Sequence, residues 1–317
     1  MDGSLSLSAR EIWVKLLLYP SHTLPTAAAP VLVGIGLALR DNIFVPLPVL
    51  IAFLASWLIH VGGVFTDNYQ LLRRHPDIPE HPELLQALQT GTLTFPGLRG
   101  AILGCFGLAA ITVPYLISIG GSAALAIGMV GAASSYCYAG WPQPYVKHGL
   151  ADPIFLVMFG IVAVVGTYYI QWAALNGMPA HGLAALQRLP WDIYLVGLPV
   201  GALVTNVMVI DDIRDRKFDA AKGWRTVSVR FGLIGGRTEY LGLTAFAYIL
   251  PLAFWIWFGS SAWILLPLLT LPVAYKIARA VSTLDQTRDL LRMTPRASYL
   301  AVTYAALQAT GLVLSVN

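Results

Sequence analysis

Long apolar runs dominate this chain. A window of about 19 residues finds them near residues 24–39, 44–65, 98–120, 122–139, 152–172, 191–210, 238–258, 261–282 and 297–316. A helix that crosses a bilayer needs about 20 apolar residues, so nine crossings absorb most of the 317 residues and leave little for an aqueous domain. Hydrophobic residues make up 57% of the chain and charged ones 11%, against roughly a quarter charged in a typical globular domain. A soluble enzyme is excluded. The runs are rich in Leu, Ala and Gly and lack the period-2 alternation of a β-barrel. The expectation is an all-α membrane protein of nine transmembrane helices forming one domain over residues 1–317.

Smaller features refine this. The first run is short and contains Pro25 and Pro30, and the amphipathic stretch Glu11–Tyr19 ahead of it suits the membrane interface. The N-terminus has no basic region followed by a cleavage pattern, so no removable signal peptide is expected. Cys105 and Cys137 both lie in apolar runs and read as packed thiols.

Basic residues set the orientation, because cytoplasmic loops accumulate Lys and Arg. With the N-terminus inside, 18 of the 20 basic residues fall on the cytoplasmic side, and Arg40 and Arg188 are the two outside. A missed or invented span would scramble that segregation. The net charge of +4 is thus a topology signal, and a nucleic-acid partner is not expected. Nor does the sequence point to an obligate protein partner.

The sixteen acidic residues are concentrated. One cluster follows the second run, in T66-D-N-Y-Q-L-L-R-R-H-P-D77, and the other follows the sixth, in I210-D-D-I-R-D-R-K-F-D-A-A-K-G-W-R-T226. Asp211, Asp215 and Asp219 are spaced i, i+4, i+8, so on a helix they share one face with about 40° of drift per step. Carboxylates on one face repel unless a cation joins them, and oxygen-only ligands favour a hard ion such as Mg²⁺, shared with substrate phosphates. Arg214, Lys222 and Arg225, interleaved among them, suit the same phosphates. The pattern describes a receptacle for a metal diphosphate. A solvated mixed-charge loop is the competing reading, and two clusters on one side of the membrane weigh against it. Asp67 and Asp77 supply acid in the first cluster, with Pro76 breaking the helix between them. His60 lies at membrane depth and reads first as an interhelical hydrogen-bonding residue, second as a cavity lining.

The residues also resemble a known family, the UbiA superfamily of intramembrane prenyltransferases, and within it the branch that prenylates 1,4-dihydroxy-2-naphthoate. The resemblance rests on T23-L-P-T-A-A-A-P-V-L-V-G34, on Y145-V-K-H-G-L-A-D152 followed by F159-G-I-V-A-V-V-G-T-Y-Y-I-Q171, and on Arg214, Asp215, Asp219, Arg225, Thr226, Arg230 and Gly232 of the second cluster. The chain departs where the superfamily's first motif begins N-D-x-x-D, having Thr66, Asp67 and Gln70, and where the naphthoate branch has two asparagines, having Asp211 and Asp212.

The resemblance implies a helical bundle around a central cavity open to the cytoplasm, in a multi-pass protein of a bacterial inner membrane. It also implies Mg²⁺-dependent transfer of an isoprenoid from an allylic prenyl diphosphate to an aromatic acceptor. Asp67, Asp77, Asp211, Asp215 and Asp219 would hold Mg²⁺. Asn68, Arg74, Lys147, Arg214, Lys222 and Arg225 would bind substrate, together with Tyr138, and the aromatic rings of Tyr138, Tyr145, Phe155 and Tyr168 are candidates to stabilise a carbocation. Asp152 is the candidate base for the acceptor. The polyprenyl tail would pass between helices into lipid. Three alternatives remain open at this point: another aromatic acceptor, a terpene cyclase on the same scaffold, or a transporter, although transporters place their charges nearer the bilayer midplane.

Overall fold

The computed structural model describes residues 8, 10–13, 23–77, 82–142, 144–177, 182–284 and 287–315. Among them every regular element is helical. In chain order these are α1 (Thr23–Arg40), α2 (Pro46–Arg74), the short α3 (Pro82–Gln89), α4 (Phe95–Ile111), α5 (Val113–Cys137), α6 (Ala151–Asn176), α7 (Leu198–Lys222), α8 (Val227–Trp257), α9 (Leu271–Thr283) and α10 (Met293–Leu314). One-turn and 3-10 segments fill several connections. Residues 14–19 of the amphipathic N-terminal stretch lie outside the described residues.

Helix is what these sequences must adopt, because hydrocarbon offers no partner for an open backbone N–H or C=O. Seven helical spans are long and apolar enough to cross a bilayer, counting α7 with the turn before it as Asp192–Lys222 and α9 with the 3-10 segment before it as Ala262–Thr283, while α4 and the Leu24–Arg40 stretch of α1 are apolar but shorter. The protein is an integral membrane protein. The third expected run, 98–120, is divided between α4 and α5 at Thr112, where Pro114 has no N–H for the preceding turn. α5 leaves the helical path at Gly121 (φ 57°, ψ −143°), a conformation glycine adopts readily. The expected border between the third and fourth runs falls at this residue.

α7 is the axis of the bundle. The apolar window of its span is 83% buried, and Pro199 to Ile210 are buried without a break, with the polar Thr205 and Asn206 hydrogen-bonded to Gly201 O and Tyr240 O. Close approach is purchased with glycine. A Cβ on Gly201 would lie 2.5 Å from Gly160 Cα, and one on Gly197 would lie 2.2 Å from Gly160 O, where α6 widens into a π-helical turn over Met158–Val162. Interhelical hydrogen bonds add register: Gln308 Nε2 donates to Val196 O at 2.6 Å, and Tyr304 Oη donates to Ala247 O at 2.7 Å.

The two ends of the bundle carry different chemistry. At one end, Arg40 reaches Asp192 Oδ2 at 2.6 Å and Asp41 Oδ1 at 2.7 Å, and Tyr168 Oη donates to Asp41 at 2.7 Å. Those bonds tie α1, α6 and the start of the α7 span together. They also place Tyr168 in a structural network. The acidic clusters lie at the opposite end, at the C-terminal ends of α2 and α7.

Gly201→Leu should destabilise the fold by about 1–3 kcal/mol through overpacking. Gly104→Leu on α4, where a Cβ meets nothing within 4 Å, should stay within about 0.5 kcal/mol. Thermal denaturation of the two variants in detergent checks the difference.

Candidate active site

A single cavity of about 400 Å³ runs between α2, α5, α6 and α7. Each helix presents one face along it. On α2 the lining runs from Ala52 through Ser56, His60 and Gly63 to Asp67, and on α7 from Val204 through Met208 and Asp211 to Asp219. The foot of the cavity is apolar and its head acidic, so the two acidic clusters meet at one place. Tyr138, which ends α5, reports the meeting. Burial first, then the charges of Asp212, Asp67 and Asp219, push its phenol well above the ordinary range. Those carboxylates come from both α2 and α7.

The head is built by how α7 ends. Gly223 adopts the left-handed conformation (φ 75°), Gly223 N–H donates to Ala220 O at 3.1 Å and Trp224 N–H to Asp219 O at 2.9 Å. This Schellman turn stops the helix one residue past Lys222 and folds Trp224 back. Lys222 Nζ then sits 3.7 Å from the centre of the Trp224 ring and 2.9 Å from Asp219 Oδ1, with both charged side chains almost fully buried. Trp224, Tyr145 and Phe155 surround Tyr138 with ring centroids 5.7–5.9 Å away. Burial raises the Tyr145 phenol to about 12, so these phenols stay neutral at physiological pH.

Charge at the head is arranged around one guanidinium. Arg214 ion-pairs with Asp211 and forks onto Asp215, donating Nε to Asp215 Oδ1 at 2.9 Å. Thr294 Oγ1, from α10, donates to Asp211 Oδ1 at 2.7 Å. The Oδ2 atom of Asp212 is buried without a hydrogen-bond partner.

Of the residues singled out from sequence, Asp67, Asn68, Tyr138, Asp211, Arg214, Asp215 and Asp219 line the cavity. Asn68 donates its amide to Val64 O at 2.9 Å on its own helix. Asp77, Arg74, Lys147, Lys222 and Arg225 do not line it. Four of them group around His75 instead. Partial burial, followed by Lys147, Lys222 and Arg74, holds the His75 imidazole below its ordinary value, and Asp77 opposes them. Arg225 is exposed, with its backbone N–H bonded to Val146 O at 3.5 Å. Asp152 is 6% exposed and does not line the cavity; it stands beside Glu239, with Asp152 Oδ1 and Glu239 Oε2 both buried without a hydrogen-bond partner. His60 does line the cavity, its ring edge-on to Phe159 at 5.7 Å.

Sequence reasoning did not single out Glu83, Asp212, Trp224 or Thr294 as site residues. Asp212 stood in plain view beside Asp211, and Trp224 directly after a helix-ending glycine. Glu83 lies on the short α3, and Thr294 opens the last helix, 83 residues from its partner.

Six carboxyl groups line the head, those of Asp67, Glu83, Asp211, Asp212, Asp215 and Asp219, with Arg214 the strong cation among the described lining residues. Such a head repels an anion and attracts a hard divalent cation. The oxygen donor set therefore fits Mg²⁺. Among the described residues no three acidic, histidine or cysteine side chains form a ready-made cage, which matches the way Mg²⁺ is usually held, by one or two carboxylates with substrate phosphates completing its shell.

The buried Asp219–Lys222 pair yields a stability test. Lys222→Met removes the cation that the buried Asp219 carboxylate meets at 2.9 Å and should cost about 3–5 kcal/mol. Asp219→Leu combined with Lys222→Met should recover most of that loss, as read by thermal denaturation in detergent.

Comparison with known proteins places the chain in a family. The model of the UbiA prenyltransferase family matches residues 27–294. Among curated relatives, the 1,4-dihydroxy-2-naphthoate octaprenyltransferase of Mycobacterium tuberculosis is 29% identical, covering 92% of this chain and 93% of its own. The protein of the same name from Escherichia coli is 28% identical, over 87% and 86%. Among solved structures, the apo form of a UbiA homologue from Aeropyrum pernix superposes with a TM-score of 0.67 at 17% identity, over 93% of this chain and 98% of that one. A UbiA homologue from Archaeoglobus fulgidus bound to DMAPP and Mg²⁺ gives 0.59 at 17% identity, with the same coverage. These likenesses of structure concern the fold. The match over 27–294 decides membership: the chain belongs to the UbiA prenyltransferase family and is a prenyltransferase.

Proposed function

We propose that this prenyltransferase transfers an isoprenoid chain from an allylic prenyl diphosphate to an aromatic acceptor of the 1,4-dihydroxy-2-naphthoate kind, releasing diphosphate, in a Mg²⁺-dependent reaction. One observation carries the reading: carboxylates from α2 and α7 converge on the head of a cavity whose foot is apolar. A molecule with an anionic head and a hydrocarbon tail matches both ends. The relatives named for naphthoate prenylation and the homologue bound to DMAPP and Mg²⁺ support the substrate classes.

Asp67, Asp211, Asp215 and Asp219 would hold Mg²⁺ together with the substrate's phosphate oxygens. Bound there, the ion neutralises diphosphate charge and makes it a better leaving group. Arg214 is placed to exchange a carboxylate for a phosphate oxygen as the substrate enters. Lys222, pinned by Asp219 and Trp224, adds positive charge behind the head, and the basic group around His75 draws anions toward the mouth. Asp77, Arg74, Lys147 and Arg225 then act on approach, outside the cavity.

The rings of Tyr138, Phe155 and Trp224 form a wall beside the acidic head. They exclude water from the allylic carbon as the C–O bond breaks, and their faces stabilise its positive charge. The acceptor's ring carbon forms the new bond, and the proton displaced must reach a base. Asp212 lines the cavity and is the first carboxyl on that path, with the Asp152–Glu239 pair behind it. The hydrocarbon tail lies along the apolar foot.

The same reading treats residues 1–317 as one catalytic unit with nine membrane passes, α1 and α4 being the short ones, and puts the acidic head on the cytoplasmic side of a bacterial inner membrane. The segregation of basic residues supports that orientation.

Purified protein in detergent, given geranyl diphosphate, 1,4-dihydroxy-2-naphthoate and Mg²⁺, should release diphosphate only when acceptor and ion are both present. Asp215→Ala and Asp67→Ala should each lower that rate by about a hundredfold or more. Release without acceptor would indicate a cyclase, and full activity in EDTA would overturn the metal assignment.

A further inference from the structure

Glycine in the middle of a helix costs about 1 kcal/mol relative to alanine. In membrane helices the usual return is close packing, and Gly34, Gly62, Gly120, Gly197 and Gly201 fit that use, since a Cβ at each would come within 3.0 Å of a neighbour. The glycines that line the cavity divide differently. A Cβ on Gly63 would meet Ser135 Oγ at 2.2 Å, and one on Gly166 would meet Ile127 Cγ2 at 3.0 Å. At Gly128 and Gly131 it would meet nothing within 4 Å. These two glycines lie on α5, bring no helix closer, and leave open space beside the cavity they line.

Their position along the cavity is informative. The lining face of α5 passes from Tyr138 at the acidic head through Ser135, Gly131 and Gly128 to Ala124. At 1.5 Å rise per residue, Gly131 lies about 10 Å and Gly128 about 15 Å below Tyr138. On the transferase reading the donor's diphosphate is held with Mg²⁺ at the head, where Asp212, 5% exposed, keeps a buried oxygen with no hydrogen-bond partner, an acceptor open to a cation or a proton donor. On that reading it is hydrocarbon that passes the two glycines.

We propose that Gly128 and Gly131 determine how long an isoprenoid tail the enzyme accepts, by leaving the tail channel unobstructed at two successive depths. The proposal rests on the transferase reading above, in which the tail occupies the apolar foot. A leucine at either position finds room without displacing backbone, so its side chain takes up channel space while the bundle stays intact. Gly131 is nearer the head, so a side chain there stops shorter tails than one at Gly128.

The test compares kcat/KM for geranyl diphosphate and octaprenyl diphosphate, with Mg²⁺ and 1,4-dihydroxy-2-naphthoate, in wild type, Gly131→Leu, Gly128→Leu and the lipid-facing control Gly104→Leu. The octaprenyl-to-geranyl ratio should fall at least tenfold in both Gly131→Leu and Gly128→Leu, because the long tail must pass both depths, with wild-type values in Gly104→Leu. Retained turnover of the short donor shows that the variants are folded. An unchanged ratio in an active enzyme, or an equal loss of both donors, overturns the proposal and leaves the transferase reading standing. Wild type inactive on both donors overturns the transferase reading itself, and the proposal with it. If Gly131→Leu does not fold by thermal denaturation, Gly131→Ala and Gly128→Leu are held to the same criterion, a selective fall in the octaprenyl rate.

Discussion

Six carboxyl groups at the head of a cavity walled by apolar helices form an electrostatic problem that the rest of the molecule is arranged around. Like charges at this density, with lipid-facing helices on every side, are tolerated only with partners. Arg214 answers for Asp211 and Asp215, and Lys222 for Asp219. Asp212 keeps an oxygen without a partner. The oxygen-rich lining of the head is suited to recruiting a divalent ion and, through it, an anion.

The fold serves this head by holding α2 and α7 at a fixed separation. α7 can run through the centre because Pro199–Ile210 is apolar apart from Thr205 and Asn206, whose side chains are hydrogen-bonded to Gly201 O and Tyr240 O, and because glycines let α6 approach it closely. Its last three turns change character, from buried apolar residues to Asp211, Asp215 and Asp219 on the cavity face, before the Gly223 turn stops it. That stop brings Trp224 over Lys222 and completes an aromatic wall with Tyr138 and Phe155. At the far end the Arg40–Asp41–Asp192 network, with Tyr168, ties α1 and α6 to the start of the α7 span. Structure at one end and chemistry at the other is a division that an apolar bundle permits, since its middle needs little beyond packing.

Much of this was legible in the sequence. Hydrophobic run length alone located the helices, because in lipid the backbone has few alternatives. The i, i+4, i+8 spacing put Asp211, Asp215 and Asp219 on one face, and that face lines the cavity. Residues close in sequence to the acidic clusters proved harder to place. Asp77 and Arg225 belong to the same motifs as Asp67 and Asp215, yet Asp77 lies past the end of α2 and Arg225 past the end of α7, where the chain has left the helical face. Helical periodicity says nothing about residues beyond a cap. Thr294 and Glu83 reach the site only through tertiary packing, which no local spacing announces. Asp152 looked like a cavity base from its place at a helix start, but it turns toward Glu239 of α8. The division of α4 from α5 at Thr112 was hidden for a related reason: proline near a helix start and proline inside a helix read alike in one sequence.

The central claim is that the acidic faces of α2 and α7 would together hold divalent metal and the diphosphate of the prenyl donor. The most direct measurement is a crystal structure of the protein with Mn²⁺ in place of Mg²⁺ and a non-cleavable prenyl thiodiphosphate, with the ion located by its anomalous signal. The account predicts an ion within coordinating distance of Asp67 and of at least one of Asp211, Asp215 and Asp219, touching the thiodiphosphate, with the hydrocarbon tail running past α5. An ion or diphosphate bound away from either helix, or a tail lying outside this cavity, would contradict it.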